Sequence, residues 1–291
     1  MGELFALLFA VTWAAAVILF KHSGETVSPF ALNFLRVTVS TVLLVATLYI
    51  TGGRLLSDAP LADYLILLLS GFIAIIISDT LFHQSLNMLG AGLTAIVECM
   101  YSPFMVMLGY LLLAEKVSLW QMGGMGLVIA GVIMVVARPG TVVVRGRQLT
   151  MGIVWCVTAM FTLALGIVIA KPVLEHSSVL WATTVRQTGC LIMMVILAGL
   201  SPNRRRFFGV FRPAVSWKSA LPGTVLGSYL ALLCWIAGMK YTQVGVAAIL
   251  NQTSTFFIIL LAVIFLGETF SRRQVLASLV AMAGLVMVVC G

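Results

Sequence analysis

The residues best suited to chemistry in this chain are few, and they lie inside apolar stretches. Thr94, Glu98 and Tyr101 recur at helical spacing and so share one helix face. Glu98 sits deep in the apolar segment 91–113. A carboxylate there binds a cationic group or a coupling proton, or it is a structural carboxylate paired with Arg36. Asp79 and His83 stand four apart on one face, and His83 can exchange a proton near neutral pH or be a satisfied structural contact. Arg36 and Arg186 either extend to lipid headgroups or hold a carboxylate or phosphate through paired hydrogen bonds. The run Asn251-Gln252-Thr253-Ser254-Thr255 is hard to place against lipid, and part of it is expected to face an interior cavity, with helix–helix hydrogen bonding as the alternative. Trp13, Trp155, Tyr229 and Trp235 are candidate cavity aromatics or belt and core residues. Pro103 cannot donate to the Cys99 carbonyl, and the resulting kink serves gating or packing.

The elements that carry these residues follow from composition. Of 291 residues, 62% are hydrophobic and 9% charged, against roughly 45–50% and about 25% in soluble domains. The mean hydropathy is +1.15. So few charges cannot cover a soluble globule, which excludes a soluble enzyme, a disordered chain and a nucleic-acid-binding domain. An all-α membrane protein remains. Apolar runs between turn signals predict ten transmembrane helices, near 3–20, 30–51, 64–86, 91–113, 119–137, 150–170, 180–200, 221–239, 245–266 and 274–290. Ser28-Pro29 suits a helix start, with the hydroxyl capping free amides. The first segment lacks a basic leader and recurs later in the chain, so it is read as a structural helix. The five cysteines have neither disulfide nor zinc spacing. His22, His83 and His176 are far apart, and neither a nucleophile elbow nor a phosphate-binding loop occurs. No enzyme, metal or cofactor is expected.

The chain repeats itself. At an offset of 150, Gly2 meets Gly152, Thr12 meets Thr162, Lys21 meets Lys171 and Arg36 meets Arg186. Later the offset becomes 153, pairing Gly92 with Gly245, Phe104 with Phe257, Glu115 with Glu268, Gln121 with Gln274 and Gly131 with Gly284. Two five-helix repeats are therefore expected, over 1–140 and 141–291. With an odd number of spans each, the second enters the membrane from the opposite side. Such inverted repeats recur in secondary transporters, which bind substrate between the halves. Symmetry fails at polar positions: Asn251 aligns with Glu98, while Leu232 and Ile236 replace Asp79 and His83. The fifth and tenth spans, rich in Gly and Ala, are expected to clasp one another.

Ser28-Pro29-Phe30 with Asn33-Phe34-Leu35-Arg36 resembles the EamA-type members of the drug/metabolite transporter superfamily. So do Leu89-Gly90-Ala91-Gly92 through Ser102-Pro103-Phe104, and Leu113-Ala114-Glu115-Lys116 before a Gly-rich span. The resemblance implies ten helices in two inverted halves around a central cavity, moving small metabolites by alternating access. Amino acids, amines, nucleobases and drugs all fall within that family. The expected partners are a small-molecule substrate and membrane lipids, with monomer and homodimer both open and no nucleic acid. A flippase for lipid or lipid-linked intermediates is the alternative, as is a membrane protein without transport. Substrate contacts fall to Glu98, Tyr101, Asn251, Gln252, Trp13, Arg36, Arg186 and His83, coupling to Glu98 or Asp79, and gating to Pro103.

Loop charge orients the predicted spans in an inner membrane. Lys21, Arg138, Arg145, Arg147, Arg204, Arg205, Arg206, Arg212, Lys218, Arg272 and Arg273 fall on one side; Arg54, Lys116, Lys171 and Lys240 fall on the other. The positive-inside rule then puts both termini outside, although relatives are commonly drawn with them inside. A C-terminal reporter active only in the cytoplasm should stay silent, and a bright reporter would refute this orientation.

Overall fold

The computed structural model describes residues 2–114, 116–137, 146–212, 217–241, 250, 253–269 and 271–290. All regular structure among them is helical. The helices are α1 (Gly2–Gly24), α2 (Pro29–Ile50), α3 (Leu61–Leu89), α4 (Ala91–Leu113), α5 (Leu119–Ala137), α6 (Arg147–His176), α7 (Val179–Leu200), a short α8 (Arg204–Gly209), α9 (217–241), α10 (Ser254–Leu266) and α11 (Arg272–Cys290). Seven of them, α1 to α4, α6, α7 and α9, are long and apolar enough to cross a membrane, while Leu119–Met134 and α10 are shorter apolar stretches. Exposed side chains such as Ile50, Leu119 and Phe265 form the outer surface, as expected of helices bathed in lipid.

Helix boundaries have local causes that recur in both halves. Ser118 and Gln121 cap α5 reciprocally: the Gln121 amide donates to Ser118 Oγ at 3.0 Å, and the Ser118 amide to Gln121 Oε1 at 3.0 Å. Ser271 and Gln274 repeat this at α11 with 3.3 and 2.7 Å, a capping box at each repeat-equivalent position. Just upstream, α4 ends on Ala114 at φ 53° and α10 on Gly267 at φ 63°, again equivalent positions. The expected Ser28 cap does not form, because its hydroxyl has no hydrogen-bond partner. Ser28 is held extended at φ −66° and ψ 149°, as a residue before proline must be, and Pro29 starts the helix alone.

Packing in lipid gains little from leucine against leucine, so close approach falls to small residues and hydroxyls. Along the antiparallel α3–α6 seam, Ser70 Oγ donates to the Gly166 carbonyl at 2.6 Å, Ser78 Oγ to Ala159 at 2.7 Å and Ser85 Oγ to Gly152 at 2.9 Å. A β-carbon on Gly166 would lie 2.6 Å from Ala74 Cβ, and one on Gly227 2.6 Å from Ala16 Cβ. These two contacts are repeat equivalents, so α3 sits on α6 as α9 sits on α1. Both α3 and α9 also carry a wide-turn π segment at the same place, Phe72–Ser78 and Val225–Leu230.

Between α5 and α11 the contact is antiparallel and self-complementary. A β-carbon on Gly124 would lie 2.5 Å from the Gly284 carbonyl oxygen, and one on Gly284 2.5 Å from that of Gly124. Gly131 closes in the same way on Ala277 and Ala281. The expected clasp is thus present. Gly126, on the same helix, faces open space. Gly124→Ala should therefore cost about 1–3 kcal/mol through overpacking, whereas Gly126→Ala should not lower stability. Thermal melting of the two purified variants in detergent checks this, and equal loss would refute the clasp.

Candidate functional site

The polar residues of the first half converge on α2 and α3. Arg36 is 6% exposed. Its guanidinium donates to Asp79 Oδ2 in a charged hydrogen bond and lies over the Phe20 ring at 5.8 Å. The π segment of α3 ends at Ser78, immediately before Asp79, so the irregular turns set the azimuth at which that carboxylate leaves the helix. Asn33 bridges the same region, donating to the Ile75 carbonyl at 2.8 Å and to Thr80 Oγ1 at 3.1 Å. His83 is buried between the Phe20 and Phe82 rings, and neither ring nitrogen has a hydrogen-bond partner. The spacing of Asp79 and His83 thus does not bring them together: Asp79 is taken by Arg36.

Glu98 is accordingly not the partner of Arg36. Its Oε1 accepts from Trp13 Nε1 at 3.3 Å, joining α4 to α1. Directly after Glu98, α4 breaks at Cys99–Met100 and resumes at Tyr101. Pro103 favours the break: the Cys99 carbonyl takes the Ser102 amide at 3.3 Å, and Pro103 has no N–H to offer it. The break falls one residue past the carboxylate, closer than the one turn expected from the proline. At the repeat-equivalent place, α10 begins at Ser254 after a turn at Thr253, and Thr255 Oγ1 lies 3.9 Å from Cys99 Sγ. The start of α10 thus meets the break in α4. Asn251 and Gln252 lie outside the described residues. Trp13 also packs against Phe82, with ring centroids 6.2 Å apart.

Tyr101 opens the second section of α4, packed against Leu108, Ala164 and Val168 and within electrostatic reach of Arg186 on α7. Arg186 is 7% exposed. Unlike Arg36, it donates no hydrogen bond and meets no carboxylate among the described residues.

A model of the EamA-like transporter family matches the sequence twice, over residues 1–137 and 150–290. The chain belongs to the EamA-like transporter family. It is accordingly a multi-pass membrane transporter of two repeats, within the drug/metabolite transporter superfamily. A solved structure described as "Crystal structure of protein" is 15% identical, covers 98% of this chain and 95% of its own, and superposes with a TM-score of 0.66, a likeness of fold. Comparison with curated proteins finds no match.

Both ends of the seam between the family's two repeats are tied in this structure. At one end Glu268 reaches across to the start of α4, accepting from the Ala91 and Gly92 amides at 2.7 and 2.9 Å. A carboxylate at a helix N-terminus complements both the free amides and the helix dipole. Gly90 permits the approach: its φ is +86°, and a β-carbon there would lie 2.5 Å from Glu268 Oε1. Gln148 Nε2 donates to the Met88 carbonyl at 3.2 Å nearby, and Ser23 and Ser219 hydroxyls meet at 2.8 Å. At the other end His176 Nε2 meets Asp63 Oδ2 at 2.9 Å, Trp181 Nε1 donates to the Leu55 carbonyl at 3.1 Å, and Thr47 and Tyr229 hydroxyls meet at 2.7 Å. Cavities of about 400 Å³ and about 670 Å³ open beside these two sets of ties. The sequence marked Glu268 as a repeat identity but gave no sign of its partner.

Proposed function

We propose that this transporter moves a small organic solute by alternating access, binding it between the halves where α4 and α10 start their inner sections. The observation that carries this reading is the interrupted α4: a carboxylate, Glu98, stands at the break beside Trp13 and one turn from Tyr101. Interrupted helices at a repeat interface are where transporters of inverted-repeat design hold substrates and coupling ions. Glu98 is the group that exchanges a proton or contacts the solute. Asn251, the sequence equivalent of Glu98 in the second half, and Gln252 beside it are the further candidate contacts. Their uncharged side chains make coupling one-sided, with one carboxylate for two repeats.

Ten spans in two inverted halves, with both termini outside, follow from the repeat and the loop charges. Export or exchange is the direction, and the break at Cys99–Met100 above Pro103 is the place where α4 bends. Arg36, Asp79 and His83 form the polar wall behind the site.

Thermal-shift screening against amino acids, amines, nucleosides and lipid headgroups identifies a ligand for transport assays. In proteoliposomes, Glu98→Gln should then cut transport of that ligand at least tenfold and flatten its pH dependence. Its melting temperature should stay near that of the parent. Undiminished transport with the parental pH profile would remove Glu98 from the mechanism.

A further inference from the structure

The two equivalent arginines meet opposite fates, and the difference points to a ligand. Arg36 and Arg186 occupy the same place in their repeats, seven residues beyond Pro29 and Val179. Arg36 is neutralised by Asp79 and lies over the Phe20 face, although its Nε, like that of Arg186, has no hydrogen-bond partner. At the positions equivalent to Asp79 and His83 the second half has Leu232 and Ile236, so no acid follows Arg186. The other interior carboxylates among the described residues are engaged elsewhere: Glu98 by Trp13, Asp63 by His176 and Glu268 by the α4 amides. Arg186 is 7% exposed, its Nε is enclosed without a partner, and no carboxylate stands against it among the described residues.

A guanidinium taken out of water is costly unless its donors are met. Its planar fork matches a carboxylate or phosphate through two parallel hydrogen bonds. Tyr101 stands within electrostatic reach, with a hydroxyl able to add a further donor.

We propose that Arg186 is the anion-binding point of the transport site, so that the solute carries a carboxylate or phosphate group. This rests on the transporter reading and deepens it. A free metabolite and an anionic lipid headgroup share this chemistry, and the experiment separates them.

The test uses the full-length protein in nanodiscs of neutral lipid. Without ligand, Arg186→Gln and Arg186→Met should melt at or above the parental temperature, because each removes an unmet charge. Arg36→Gln should melt lower, because it orphans Asp79 in the interior. Succinate, inorganic phosphate and glycerol 3-phosphate then serve as soluble probes, phosphatidylglycerol as the lipid probe and ethanolamine as the cationic control. At least one anion should stabilise the parent, with apparent affinity at least tenfold weaker in Arg186→Gln and partly kept in Arg186→Lys. Stabilisation by a soluble anion assigns a metabolite; stabilisation by phosphatidylglycerol alone assigns a headgroup, and both support the site. Failure of Arg186→Gln to fold, a melting loss like that of Arg36→Gln, silence from every anion, or an anion effect unchanged in Arg186→Gln would each overturn it. If Arg186→Gln transports a neutral or cationic solute at the parental rate, the anion site falls while the transporter reading stands.

Discussion

In a lipid environment the apolar side chains that drive soluble folding are nearly as content outside the protein as inside it, so a membrane bundle depends on how closely its backbones approach. Here that approach is made by Gly124 against Gly284, Gly131 against Ala277, Gly166 against Ala74 and Gly227 against Ala16. Each pair is matched by its repeat equivalent. Hydroxyls at Ser70, Ser78 and Ser85 secure the α3–α6 seam by donating to carbonyls exposed where no side chain intervenes. These contacts need little volume and few charges. The expensive polar groups are thereby left to serve the interior.

Those groups break the symmetry that the packing keeps. The first half holds Arg36 with Asp79, a buried His83 and the carboxylate of Glu98; the second keeps the arginine and loses the acid, the histidine and the carboxylate. A symmetrical scaffold can exchange two equivalent faces. The polar groups inside the two halves are unequal. Ties at each end of the seam, through Glu268 on one face and Asp63 with His176 on the other, hold the two halves together.

Much of the scaffold was legible in the residues because each copy checks the other. Gln121 and Gln274 were visible as repeat equivalents, and the structure joins them to Ser118 and Ser271 in two capping boxes. The Gly/Ala-rich segments announced the α5–α11 clasp. Pro103 announced the break in α4. What the sequence could not reveal was which of two acids Arg36 would meet, since Asp79 and Glu98 were both in apolar segments. The irregular turns over Phe72–Ser78 set the azimuth of Asp79, and a regular helical count does not anticipate them. The Glu268 cap was invisible for another reason: its partners are backbone amides, which carry no sequence signature, and they lie in the other repeat.

Alternating access across the seam is the central claim, and paired distance measurements test it most directly. Spin labels on Met88 and Thr269 report one face, and labels on Arg54 and Ser178 report the other; both pairs join the two repeats beside the end cavities. In nanodiscs the account predicts two distance populations for each pair, with ligand or pH lengthening one while shortening the other. A single fixed distance at both faces, or both faces lengthening together, would contradict it.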